Sequence, residues 1–152
     1  QSSLFPTAGA ETDAPKKRPR LATRPGGLID RYEFSSFVTG PSNQFARAAA
    51  IAVAGQPGTL YNPFFVFGGV GLGKTHLVNA IGNTILEKQS SARVLFMSAD
   101  TFTNRLIDAI SKNKAPEFKN RMRRVDCLIL DDVQFLAGRD RTQEEFFHVF
   151  CL

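Results

Sequence analysis

From Phe34 onward, apolar residues fall into short runs and helical stripes separated by glycine, proline and asparagine. Ser42 stands where it can cap a helix running through Phe45–Val53, which Gly55 and Pro57 terminate. Phe64–Phe67 is an unbroken apolar run of the kind covered on both faces in a parallel sheet. A glycine-rich turn, Gly68–Gly73, follows it. Lys74 to about Lys88 reads as a helix, with Leu77, Val78, Ile81 and Ile85 at helical spacing. Arg93–Met97 predicts the next strand, and Asp100 begins a helix carrying Phe102, Leu106, Ile107 and Ile110. A short basic helix over about Ala115–Arg123 precedes a third strand, Cys127–Leu130. Thr142 opens a last helix, with Glu145 three residues later as a capping box. Strands alternating with helices mean βαβ units and a parallel sheet, an α/β fold.

Residues 1–33 break this pattern. They hold four of the eight prolines, the run Lys16-Lys17-Arg18-Pro19-Arg20 and few bulky apolar residues. Such a segment buries too little apolar surface to offset its ordering entropy, so it reads as a flexible linker, with 34–152 as the folded part. The basic run fits a solvated linker, a nuclear-import signal or a nucleic-acid arm. At 152 residues there is room for one domain, and 43% hydrophobic with 22% charged residues is ordinary globular usage. The net charge of +5 permits a nucleic-acid partner without requiring one. Cys127 and Cys151 lie far apart with no C-x-x-C, which excludes a disulfide framework or a zinc finger and fits a reducing compartment. No apolar run is long enough to span a membrane, and the N-terminus lacks a signal-peptide core. A first residue that is Gln and an end inside a predicted helix read as an internal fragment.

The chemistry sits in the turn. Gly68-Gly69-Val70-Gly71-Leu72-Gly73-Lys74-Thr75 matches G-x-x-x-x-G-K-[ST] at every fixed position. Average glycine usage makes a chance match roughly a once-in-a-few-hundred-sequences event, and here a strand enters the motif and a helix leaves it. Gly69, Gly71 and Gly73 let the backbone wrap a phosphate with its N–H groups inward, and the helix N-terminus adds partial positive charge. Lys74 reaches the β- and γ-phosphates, and the Thr75 hydroxyl is a hard oxygen ligand for Mg²⁺. A dinucleotide fingerprint fails, because the last glycine of G-x-G-x-x-G would have to stand at Lys74.

Leu128-Ile129-Leu130-Asp131-Asp132 supplies the carboxylates such a site needs, at the carboxyl edge of the sheet. Asp131 would hold Mg²⁺ through its water shell, and Asp132 would orient or activate the attacking water. His76 reads as a packing or supporting residue beside the loop rather than a base. Glu145-x-x-His148 has di-iron spacing but lacks the second copy and further glutamates such a site needs, so His148 reads as structural. From Asn104 to Arg124 there are seven basic residues against Asp108 and Glu117, and Arg139 and Arg141 follow the third strand. These cations can track a phosphate backbone or simply form a solvated basic face.

Phe37-Val38-Thr39-Gly40-Pro41-Ser42-Asn43-Gln44-Phe45-Ala46, Tyr61-Asn62-Pro63-Phe64 and Gly73-Lys74-Thr75-His76-Leu77 closely resemble the bacterial chromosomal replication initiator family, DnaA. So do Val125-Asp126, the run Asp131–Gly138 and Gln143–His148, and the likeness covers about Tyr32–Phe150. The resemblance implies a P-loop AAA+ ATPase with a three-layer sheet and helices on both faces, truncated here after the third strand. It implies slow ATP hydrolysis with Mg²⁺, a filament assembled on double- and single-stranded origin DNA, duplex opening, and contact with the replicative helicase machinery. A cytoplasmic location follows from it, compatible with peripheral contact to acidic lipid. Adenine would sit between Phe37-Val38 and the P-loop helix, alongside His76. Ile107, Arg139 and Arg141 would touch single-stranded DNA. Cys151 departs from the usual asparagine of the family.

The family's sensors, arginine finger, lid and helix-turn-helix domain would lie after Leu152. Its implied strand order, 5-1-4-3-2, leaves Phe64–Phe67 without a neighbour, so the isolated chain is expected to bind ATP weakly, hydrolyse it negligibly and dissolve poorly. Two other readings stay open from the residues: a helicase-loader ATPase, and a non-hydrolysing nucleotide-dependent DNA-binding module.

Overall fold

The structure is a computed structural model, and it describes Arg24 and residues 26–150. Among these residues, five helices and two strands follow in the order α1 (Gln44–Gly55), α2 (Lys74–Lys88), β1 (Val94–Ser98), α3 (Ala99–Ser111), α4 (Ala115–Arg123), β2 (Cys127–Asp131) and α5 (Asp140–Phe150), with a 3-10 turn at Val133–Leu136. The strands pair in parallel, from Val94 beside Cys127 to Ser98 beside Asp131. A parallel pair cannot be closed by a hairpin, and α3 with α4 forms the crossover.

The two-residue period of the strands divides the interior into two cores, one on each face. Val94, Phe96, Cys127 and Ile129 face a core built with Leu77, Ile81 and Ile85 of α2 and Ala50 and Ala54 of α1. Leu95, Met97 and Leu130 face the other, with Phe102 and Leu106 of α3 and Phe118 and Met122 of α4. Helices therefore cover both faces, as the α/β reading expects. Gly82 faces the first core because nothing larger fits: a Cβ there would lie 2.6 Å from a Leu28 methyl and 3.0 Å from one of Ile129.

Sequence expectations need correction at four places. Phe64–Phe67 is extended but forms no ladder, because no described strand lies beside it to take up its backbone N–H and C=O groups. Phe64 and Val66 still pack on the first core, while Phe65 and Phe67 are 71% and 95% exposed. The cap of α1 is Asn43, one residue after Ser42. Its carboxamide accepts from the Gly40 N–H and donates to the Val38 carbonyl, stapling the preceding loop. α5 begins at Asp140 rather than Thr142, so Glu145 lies a turn inside and pairs with Lys119 of α4 at 2.6 Å instead of closing a capping box.

The fourth correction is the linker boundary. Leu28 is fully buried in the first core, and Arg24 pairs with Asp30 and Glu87. The Gly26 carbonyl accepts from Phe96 N–H along the free edge of β1, where a Cβ on Gly26 would meet the Val94 carbonyl oxygen. The folded part thus begins before Tyr32. The Lys16–Arg20 run and Cys151 lie outside the described residues.

Leu28→Ala should cost about 2–5 kcal/mol in urea unfolding of the protein that carries this chain, because it empties a filled site. A linker residue would change the midpoint by nothing measurable. A pH-dependent contribution comes from α5. The Lys119 ammonium holds the Glu145 carboxyl below the ordinary glutamate range, so this pair stabilises the fold above that range and is lost as pH falls through the lowered value. Amide exchange in α5 should accelerate on acidification relative to α2, and Glu145→Gln should remove that difference.

Candidate nucleotide site and its surroundings

The glycine turn joins the extended Phe64–Phe67 run to the N-terminus of α2. Gly71 and Gly73 have φ of 78° and 85°, a left-handed backbone that residues with a Cβ rarely adopt. Gly73 is doubly constrained, since a Cβ on it would lie 2.9 Å from the Phe37 ring. α2 then points its free N–H groups and positive end at the turn. Lys74 Nζ donates to the carbonyl oxygens of Gly68 and Gly69 at 3.0 and 2.7 Å, folding the ammonium over the loop.

Thr75, the next residue, donates from its hydroxyl to Asp131 Oδ2 at 2.6 Å. Residues 56 positions apart thus meet where the end of β2 reaches the start of α2. The other Asp131 oxygen accepts from the Asp132 N–H at 3.0 Å. Asp132 is in the left-handed region at φ 55°, which turns its exposed side chain out of the strand direction, and its carboxylate accepts from Gln134 Nε2 at 3.2 Å. The Thr75 hydroxyl and the Asp131 carboxylate are two hard oxygens side by side, the donor type that Mg²⁺ takes. That ion takes one or two protein oxygens and fills its octahedron with water and phosphate.

The segment before α1 forms the wall beside the loop. Phe37 is nearly buried, packed on Gly73, whereas its neighbour Val38 is 85% exposed. His76 does not face the turn. Its Nε2 lies 2.8 Å from the Glu33 carbonyl oxygen, its ring stacks on Tyr32 and the Phe37 ring meets it edge-on. Sequence reasoning missed Tyr32, Asn79 and Asn83, all of which take part in this wall. The available signal was two asparagines four apart inside the apolar stripe of a helix.

Ile107 is 53% exposed on α3, which packs against the 3-10 turn that leads into Arg139 and Arg141, both exposed. The three residues thus lie on adjoining elements. Part of the basic stretch before them is engaged within the chain. Lys112 pairs with Asp108 and Lys119 with Glu145, while Arg121 lies over the Phe118 ring. Arg105 and Arg121 line, with Arg93 and Met122, a cavity of about 610 Å³ against the edge of β1.

The chain matches the family described as the bacterial DnaA ATPase domain over residues 28–152. It is 49% identical over 150 residues to the chromosomal replication initiator protein DnaA of Thermus thermophilus, covering 99% of this chain and 32% of that protein. Domain III of the Thermotoga maritima replication initiation protein DnaA superposes with a TM-score of 0.77 at 46% identity, over 81% of this chain and 51% of that one. A replication initiator DnaA bound to AMPPCP and single-stranded DNA gives a TM-score of 0.75 at 43% identity, over 81% of this chain and 38% of that one. The chain spans about a third or less of the length of the curated relatives it matches. With a family match that starts at the buried Leu28 and runs through the P-loop and both aspartates, the chain belongs to the bacterial DnaA ATPase domain family.

Proposed function

We propose that this chain is the ATP- and Mg²⁺-binding part of a chromosomal replication initiator, a slow AAA+ ATPase whose bound nucleotide governs assembly on origin DNA and duplex opening. The observation that carries this reading is the contact of Thr75 with Asp131 at the mouth of a complete P-loop. ATP supplies the phosphoanhydride, and Mg²⁺ would neutralise its charge. Gly69, Gly71 and Gly73 would bring backbone N–H groups to the phosphates, and Lys74 would exchange its two carbonyl partners for β- and γ-phosphate oxygens. Thr75 and Asp131 would hold the cation, directly and through water. Asp132, after the end of β2 with an exposed carboxylate, would orient a water and take its proton. Phe37 and Val38 would bound the nucleoside, with His76 behind them.

Ile107, Arg139 and Arg141 form the DNA-facing part of the proposal, supported by their exposure on adjoining elements. Filament formation on double- and single-stranded origin DNA and contact with the helicase machinery belong to the whole protein. So do a cytoplasmic location and peripheral contact with acidic lipid. No described helix is long and apolar enough to cross a membrane.

In the whole protein, Lys74→Ala should abolish ATP binding in a filter assay, whereas Asp132→Ala should bind ATP normally and release no phosphate. Equal ATP affinity in the wild type and Lys74→Ala would overturn the site. Replacing Arg139 and Arg141 together should lower the salt slope of single-strand binding by roughly 1.4, the share of two phosphate contacts, and leave ATP affinity unchanged. An unaltered slope would make them ordinary surface charge.

A further inference from the structure

One stripe of α2 carries three polar side chains, His76, Asn79 and Asn83, at the spacing that places residues on one helix face. The two asparagines are 0% and 1% exposed and both bond to Ile29, the residue after the fully buried Leu28. Leucine would fill such positions without desolvating an amide, so the burial of both carboxamides is offset only by the bonds they make, and Asn83 Oδ1 has none among the described residues. Asn83 Nδ2 donates to the carbonyl oxygens of Ile29 and Tyr32, each at 2.9 Å. Asn79 Oδ1 accepts from the Ile29 N–H at 2.8 Å, and its Nδ2 donates to the Thr75 carbonyl at 2.7 Å. His76 completes the series at the Glu33 carbonyl and between the rings of Tyr32 and Phe37.

Residues 29–32 turn over Asn79 and Asn83, Glu33 then meets His76, and Phe37 ends on Gly73. Residues 28–37 therefore form a strap laid along α2 from its middle toward the phosphate loop, held by side chains where a sheet would use a ladder. One amide, Asn79, touches both the strap and the backbone of Thr75.

We infer that His76, Asn79 and Asn83 are positioning residues for the nucleoside half of the ligand: by fixing the strap they hold Phe37 and Val38 at the mouth of the loop. This rests on the ATP reading above. Phosphate is gripped by the loop itself, which the strap does not build. Loosening the strap should thus weaken a nucleotide and spare a bare polyphosphate, whereas damage to the fold or the loop weakens both.

The test uses the whole protein with Mg²⁺ and compares ATP with inorganic tripolyphosphate by titration calorimetry. Asn83→Leu keeps the branching at Cγ, with methyls larger than the amide oxygen and nitrogen, and removes both strap bonds. His76→Ala acts at the partly exposed end, so it still decides between the two outcomes if the buried variant does not fold. Each should weaken ATP about tenfold and change tripolyphosphate less than about twofold. His76→Phe, which keeps the stack on Tyr32, should recover part of the loss. Folded variants in which the ratio of the two affinities equals the wild-type ratio would overturn the inference and leave the polar series purely structural. Failure of the ATP reading looks different: the wild type would bind neither ligand, or Lys74→Ala would bind both as the wild type does.

Discussion

The hydrogen bond from the Thr75 hydroxyl to Asp131 at 2.6 Å is the constraint to which the other site features refer. It sets the first turn of α2 against the carboxyl end of β2, and so fixes where the glycine turn sits relative to the sheet. A bond between side chains this far apart in sequence forms only when the first core has seated α2 on the strands. Leu77, Ile81 and Ile85 from α2 and Ile129 from β2 are the buried residues that do so. Packing and chemistry are thus coupled through one helix.

α2 carries three loads on three surfaces. Its N-terminus supports the loop, its apolar stripe fills the first core and its polar stripe holds the strap. The absence of side-chain bulk at Gly82 lets Leu28 and Ile129 close on it, which is how the strap and the sheet reach the same helix. The second core is independent of these contacts. It joins α3, α4 and the Phe146 side chain of α5 through Phe102 and Phe118, and carries the elements bearing Ile107, Arg139 and Arg141 on the side of the sheet away from α2. A nucleotide-linked movement at the loop would therefore have to reach those residues through the strands or through Asp131, Asp132 and the 3-10 turn.

Charge counted along the chain misjudges charge as a surface. The seven cations between Asn104 and Arg124 look like a single patch in sequence, yet they are spread over two helices and the residues that follow each. Lys112 finds Asp108 and Lys119 finds Glu145. Arg93 is likewise engaged, bridging to Asp126 at the start of the strands and holding that carboxyl below its usual range. Arg139 and Arg141 are exposed and make no ion pair within 4 Å among the described residues, although the Arg141 charge also helps to hold the Glu145 carboxyl down.

Local patterns were legible without coordinates. The glycines, Lys74, Thr75 and the paired aspartates are short-range patterns whose meaning depends on spacing, and the stripe from Lys74 to Lys88 and the span Ala115–Arg123 match the observed helices in full. What tertiary structure alone decided were the questions of partnership. Phe64–Phe67 has strand composition, but a strand is a pairing, and no described strand lies beside it to form a ladder. Ser42 and Asn43 are equally good caps locally, and the Gly40 and Val38 backbone groups selected Asn43's place. Residues 26–33 look like linker because few of them are apolar, yet one buried Leu28 and two asparagines from a helix 50 residues away supply what composition lacks. Spacing along a chain encodes which groups a turn or helix brings together; which distant group satisfies a buried amide or an unpaired backbone is written only in the fold.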